Sequence, residues 1–476
     1  MQLPTHLILR IAACLSAAFF SPACSSSDAR ARDAMSAYQT AAAANDSVGA
    51  RKALLELVRA KDDVPEYWAD LGKVETSMGD YNGAYYAFGR AYELDRSNVD
   101  VLRLLTQLAL RAGDIPSAKS HAGELSVLAP GDPWPKLVTG WAAITESHFD
   151  QALAAADGLL SNTPYDPSAT GLKSRALIGL GRMPDAIDLL EKQVQGQPSD
   201  SGSLQLLSQI YQRQGNWPKV LAVSERLSAL VPGDRDNMLR LIDAAFRSGN
   251  VPAARQASLR LLAPGAEPSL ISKVLDLWMD YWPSAQRIED ARKLAASAAG
   301  LQQRLAYAAF LNRAGSPADA VRLSTDAARL PVNAGNADAN AVLADAWSRM
   351  GNVGPAMSRF GAVLAFDPGN STALRGRAEL EMRTHQTAAA VIDAQKLVAS
   401  QPSSDRDRLL LAQAYATAGN GAWANRTLWQ AFHDLRADEK IFAALLATKK
   451  GDAEATRELQ EEFDRERDQA IGRGLI

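Results

Sequence analysis

The chain has 476 residues, 47% of them hydrophobic, with 51 basic against 54 acidic side chains and a formal net charge of -3. So even a balance leaves no surplus of positive charge for gripping a polyanion, which removes nucleic acid from the expected partners. The length would ordinarily imply about three globular domains. A chain that grows by repeating one small unit needs no such division.

The N-terminal end carries the only two cysteines, Cys14 and Cys24. Arg10 closes a short basic stretch, and the ten residues Ile11 to Phe20 are too few to span a bilayer but suit the apolar core of an export signal. Ser21-Pro22-Ala23-Cys24 follows. A lone thiol in an oxidising compartment invites wrong pairing, so a cysteine at the cleavage point suggests one that is chemically consumed. Beyond it, Ser25-Ser26-Ser27-Asp28 is small and polar, as a tether would be.

This segment resembles the lipobox of bacterial lipoproteins, in which a signal peptidase cuts before a Cys carrying diacylglycerol. Ala23 and Cys24 match the pattern, whereas Ser21 and Pro22 depart from it. The resemblance implies a signal peptide over 1–23, lipidation at Cys24 and a flexible tether over 24–30. With Ser25 rather than Asp after the Cys, it also implies an outer-membrane lipoprotein facing the periplasm. The alternative is a plain cleaved secretory signal on a soluble periplasmic protein.

From Ala31 the chain repeats. Units begin at Ala31, Pro65, Val99, Pro133, Pro167, Ser201 and Arg235, each 34 residues after the last, and again at Leu301, Ala337, Ser371 and Asp405. Residues 31–266 thus hold seven units and 301–438 four, while 267–300 is one unit long but degenerate. Self-similarity at this period marks stacked helical hairpins.

Within a unit, small residues recur where two helices approach closely. Position 20 is Ala in ten of the twelve units, including Ala84, Ala118, Ala152 and Ala186, and position 8 is small in most, as at Gly72, Gly140 and Ser174. The spacing predicts that the two positions face each other across the hairpin. Gly79, Gly113, Gly181, Gly215, Gly249, Gly315, Gly351 and Gly419 are expected to end the first helices in a left-handed turn. Asp80, Asp114, Asn216, Asn250, Asn352 and Asn420 are placed to cap the second helices. Pro130, Pro198, Pro368 and Pro402 are placed to stop them.

Pro65 to Asn98 carries the fullest set, with Trp68, Leu71, Gly72, Tyr81, Ala84, Phe88 and Ala91 in register. It resembles the tetratricopeptide repeat (TPR), and the resemblance covers nearly all of the chain beyond the signal. It implies an all-α, right-handed superhelical solenoid of about twelve helix-turn-helix units, with ligands in a concave groove lined by first-helix positions 2, 5, 6, 9, 12 and 13. The Lys and Asn set of this family's chaperone-tail clamp has no match here, so chaperone tails are not implied.

On that face, position 13 is Arg111, Arg213, Arg247, Arg313, Arg349 and Arg383. These arginines form either a rail for acidic side chains or a C-terminal carboxylate, or complements to helix C-termini. Asp243, Asp345 and Glu379 at position 9 are alternatively placed to neutralise them. Trp134 and Trp141 are candidate peptide anchors, with packing between units as the other reading. Trp278, Tyr281 and Trp282 in the degenerate unit read as a seam rather than a ligand cage.

Residues 439–476 read as C-terminal capping helices, the charged run Glu461 to Asp468 lying on a solvated face or forming a coiled partner-binding segment. The five histidines are scattered, and there is no phosphate-binding loop or nucleophile elbow. No metal, cofactor or catalytic residue is therefore expected. The expected function is a non-enzymatic adaptor tethered to the cell envelope, serving assembly or secretion of pili, outer-membrane proteins or exopolysaccharide. Its partners would be other proteins or peptides, with the membrane reached through the lipid. A subunit of an envelope enzyme complex is the alternative.

Overall fold

The computed structural model describes the backbone of residues 22–435 and 438–474 and the side chains of 27–435 and 438–466. The signal segment 1–21 and the Cys24 side chain lie outside the described residues. Among the described residues there are 26 helices and no strand. They follow one another as hairpins: α1 (Pro22–Ala43) with α2 (Ser47–Ala60), α3 (Pro65–Met78) with α4 (Tyr81–Leu94), α5 (Val99–Arg111) with α6 (Ile115–Leu128). Next come α7 (Trp134–Thr145) with α8 (Phe149–Leu160), α9 (Pro167–Gly179) with α10 (Met183–Gly196), and α11 (Ser201–Arg213) with α12 (Trp217–Leu230).

The series continues with α13 (Arg235–Arg247) and α14 (Val251–Leu261), α15 (Pro268–Tyr281) and α16 (Ala285–Ser297), α17 (Leu301–Arg313) and α18 (Pro317–Ser324). Then come α19 (Ala337–Arg349) and α20 (Val353–Phe366), α21 (Ser371–Arg383) and α22 (Thr387–Ser400), and α23 (Asp405–Thr417) and α24 (Gly421–Asp434). A last pair, α25 (Glu439–Thr448) and α26 (Ala453–Gly474), lies beyond the repeats. From α3 onward the first helices open within a residue of where the register placed them, whereas α1 already opens at Pro22, nine residues ahead of Ala31. Only α18 is cut short, at Ser324, and irregular chain over 325–336 takes up the wider step from Leu301 to Ala337.

The turns have the chemistry read from the sequence. All eight turn glycines have positive φ, from 67° at Gly215 to 90° at Gly315, a region closed to most side chains. Where the glycine is missing, Asn45, Ser147 and His385 take the same conformation, with φ of 53°, 60° and 59°. Asp80, Asp114, Asn216 and Asn250 cap their helices through bonds such as Asp80 Oδ1 to Gly83 N at 2.9 Å. Asn352 and Asn420 occupy the same place without that side-chain bond.

The small residues are buried as expected, but their partners differ. A Cβ at Gly72 would lie 2.7 Å from the Phe88 ring, so position 8 makes room for the aromatic at position 24. At Gly140 the neighbour is Leu172 of the following hairpin, at 2.3 Å. Nor is position 20 closed to a branched side chain, since Val220 is wholly buried there.

The chain divides into two compact units, one ending at Leu180 and one starting at Gly181. The first is cored by Leu54, Leu57, Phe88, Leu102 and Leu105, the second by Trp278, Phe310, Phe360 and Phe432. The degenerate stretch 267–300 is therefore internal to the second unit. Trp278 is fully buried there, donates from Nε1 to Ser258 Oγ at 3.0 Å, and meets Trp282 and Phe310 edge-on. Residues 24–30, expected as a flexible tether, fall within α1, where Asp28 pairs with Lys61 at 2.7 Å and Ala31 is buried.

Candidate protein-binding groove

Five of the position-13 arginines, Arg111, Arg247, Arg313, Arg349 and Arg383, are held by named neighbours, and the way they are held shows how one repeat meets the next. In the first unit the Arg111 guanidinium lies 4.0 Å over the ring of Tyr81, which is position 17 of the preceding repeat. In the second, Arg247 lies 4.2 Å over Trp217, again position 17 of the repeat before. Gly179, at position 13, leaves the same space to Phe149, whose ring a Cβ would meet at 2.4 Å. Residue 13 thus covers residue 17 of its predecessor in all three cases. The reading of the first helices alone missed this, because position 17 belongs to the second helix. An aromatic 30 residues before an arginine was the available signal.

Farther along, ionic pairs take over. Arg313 reaches Asp276 at 2.6 Å, Arg349 reaches Asp345 at 3.2 Å and Glu379 at 2.7 Å, and Arg383 bonds to the backbone and hydroxyl of Ser348. The neutralising role expected of Asp243, Asp345 and Glu379 is what the structure draws. Asp276, Glu379 and Ser348, the partners of Arg313, Arg349 and Arg383, lie within the array.

Trp134 and Trp141 are partly buried and pack with Leu137, Ile144 and Leu172. Arg175 lies 5.0 Å over Trp141, and burial pulls its pKa below the usual arginine value. These contacts are those of the packing alternative, and both rings keep part of their surface exposed.

Around Arg247 the face is more elaborate. The guanidinium sits between Trp217 and the Tyr281 ring, 5.0 Å away, bonds Asp243 at 2.9 Å, and gives Nη1 to Glu439 at 2.6 Å. Burial opposes its charge, yet the bonds to Glu439 and Asp243 outweigh burial and raise its pKa. Burial pushes Asp243 up, only partly offset by Arg247, and holds the Tyr281 hydroxyl protonated with a pKa pushed up to about 12. Arg213, Gln209 and Phe463 help close a cleft of about 450 Å³ here.

Glu439 and its neighbour Lys440 open α25, and Asp438 caps it through the amides of Lys440 and Ile441. Lys440 Nζ lies 2.9 Å from Asp280 and 3.3 Å from Asp405. Burial lowers its pKa, but these carboxylates prevail and push it up to about 12. The first helices of the seventh, eighth and twelfth hairpins, α13, α15 and α23, therefore converge on one short helix. Among the described residues no group of three or more His, Cys, Asp or Glu is placed to hold a metal. No helix among them is long and apolar enough to cross a membrane.

Comparison with known proteins agrees with the hairpin architecture. Residues 136–268 match the family described as Psidin, N-terminal TPR repeats region. The phagocyte signaling-impaired protein of Aedes aegypti is 24% identical over 130 residues, 27% of this chain. The matched stretch spans only 14% of that protein's length. Among solved structures, PilW, titled a widely conserved type IV pilus biogenesis factor, aligns with 42% of this chain and 92% of its own at 17% identity and a TM-score of 0.34. Yeast Tom70 aligns with 91% of this chain and 99% of its own at 12% identity and a TM-score of 0.27. The fold is an all-α array of helix-turn-helix units, and its stretch 136–268 is similar to TPR repeats.

Proposed function

We propose that the chain is a non-enzymatic scaffold that holds other polypeptides on the inner face of its repeats. We further propose that it works at the cell envelope, tethered to the outer membrane through lipid on Cys24. The observation that carries the scaffold reading is Arg247, held between Trp217 and Tyr281 and bonded to a carboxylate of a helix laid across three first helices. A face that seats one helix through an aromatic-flanked cation and flanking carboxylates has the chemistry to recognise another. The tether rests on the segment around Ala23-Cys24, and the role on its layout: assembly or secretion of pili, outer-membrane proteins or exopolysaccharide.

Crosslinking in intact cells, followed by identification of the bound proteins, tests the scaffold. A stoichiometric envelope partner is expected, and recovery of the chain alone would count against it. Feeding cells a labelled fatty acid tests the anchor. Label on the wild type and none on Cys24→Ala is expected, and equal label on both would remove it.

A further inference from the structure

We propose that α25 is a resident occupant of the partner site. In this view the cleft of Arg213, Trp217, Arg247 and Tyr281 takes a helical segment opening with an acidic then a basic residue and continuing apolar, and Glu439 and Lys440 hold the chain's own version until such a segment displaces it. The inference rests on the scaffold reading above and names what that face recognises.

Four observations carry it. First, the charges are crossed: Glu439 meets a cation of the array, and Lys440, one residue on, meets the carboxylates of Asp280 and Asp405. A helix offered in another register or with the order reversed would place like charges together. Second, Arg313, Arg349 and Arg383 bond to Asp276, Glu379 and Ser348 of the array, whereas Arg247 bonds to Glu439, in a segment outside the repeats.

Third, the contacts are of an exchangeable kind. The side chains of Glu439 and Lys440 are 57% and 49% exposed, and pairs so open to water are individually weak. Fourth, the apolar grip of the terminal hairpin lies elsewhere. Ile441, Leu445, Leu459 and Phe463 pack with Leu428 and Phe432 of α24, and Phe442 stacks on Phe463 at 4.1 Å. The hairpin can stay seated on the last repeat through these residues while the side chains of Glu439 and Lys440 leave the cleft.

The test uses the full-length chain and, as probe, a fluorescein-labelled peptide of residues 438–450. Wild type, with its site filled, is expected to bind the probe weakly, and E439Q/K440Q at least tenfold more tightly. Adding R247E to that variant, or placing Gln for Glu439 in the probe, is expected to abolish the gain. Equal affinity for wild type and E439Q/K440Q, or binding that survives R247E, overturns the proposal. Probe capture accompanied by concentration-dependent dimers in sedimentation would assign the site to a second copy of this chain and likewise overturn it.

Hydrogen exchange provides a readout independent of the probe. Amides of residues 440–442, which bond to Asp438 at the opening of α25, should exchange faster in E439Q/K440Q, with melting of the array unchanged; unaltered exchange there overturns the proposal. The two readings fail separately. A chain that captures its partner in cells despite R247E keeps the scaffold and loses this site, whereas one that passes the probe test and captures nothing loses the scaffold alone.

Discussion

At the scale of the residue, the turns are the most legible feature and also the place where the pattern leaves an opening for improvement. Glycine announces a left-handed turn because it is the residue that adopts it without cost. His385 does the same work at φ 59° while its side chain is exposed. An L-residue with a Cβ there carries strain on the order of 1 kcal/mol. His385→Gly is therefore expected to stabilise the protein by about that amount, read as a rise in thermal midpoint. Gly249→Ala, at φ 75°, should lower it by a similar amount. Asn45, Ser147 and His385 stand at the turn position of their units without the glycine that signals positive φ there, so the sequence analysis did not single them out. Likewise, small residues told of a close approach but not to what: Gly72 faces Phe88 rather than Ala84 because the aromatic ring is the larger body to be accommodated.

At the scale of the element, the helices are joined by ion pairs that sequence position alone does not reveal. Asp407 is wholly buried and takes Arg375 in two bonds of 2.8 and 3.0 Å, tying α21 to α23. Removing one partner leaves a buried charge without compensation, which costs about 3–5 kcal/mol, whereas replacing both with apolar residues costs far less. Asp407→Ala is thus expected to destabilise strongly, and Asp407→Leu with Arg375→Met to recover most of the loss in denaturant unfolding.

A second buried carboxylate on α21 makes stability depend on pH. Burial first, and then the nearby charge of Asp393, push the Glu381 carboxyl up to about 7, against the smaller pull of Arg377 at 3.6 Å. The folded chain then binds this proton at pH values where the unfolded chain, titrating near 4.5, has released it. Stability from this group is full below the unfolded value and is lost as pH climbs towards 7. Glu381→Gln should flatten that part of the profile and raise stability at pH 8 by about 1–3 kcal/mol, read as a higher thermal midpoint. A wild-type profile that does not differ from the variant's between pH 5 and 8 would dismiss the effect. The acid at position 11 was visible in the sequence, but its titration depends on Asp393 from the paired helix, which no periodicity could supply.

At the scale of the whole molecule, the repeat register dictated nearly every helix, because each hairpin is local and self-terminating. The terminal hairpin was legible only as a cap. Its return to α13 and α15 joins residues 192 apart in sequence, Arg247 and Glu439, and contacts of that span follow from how the second unit curls rather than from any motif. The same locality governs how damage spreads. Phe360 is fully buried among Ala356, Leu364, Leu374 and Leu380, with its ring against Gly376. Truncating such a ring costs about 3–5 kcal/mol. In a stack whose stability is a sum of nearest-neighbour terms, that loss belongs to the hairpins that touch the cavity. Phe360→Ala is therefore expected to speed amide exchange across α19 to α22 by two orders of magnitude or more, using about 1.4 kcal/mol per tenfold change. Exchange in α3 to α6 of the first unit should remain at its wild-type rate. If exchange instead rose evenly over both units, the chain would be opening as a single cooperative body, and stability summed unit by unit would no longer describe it.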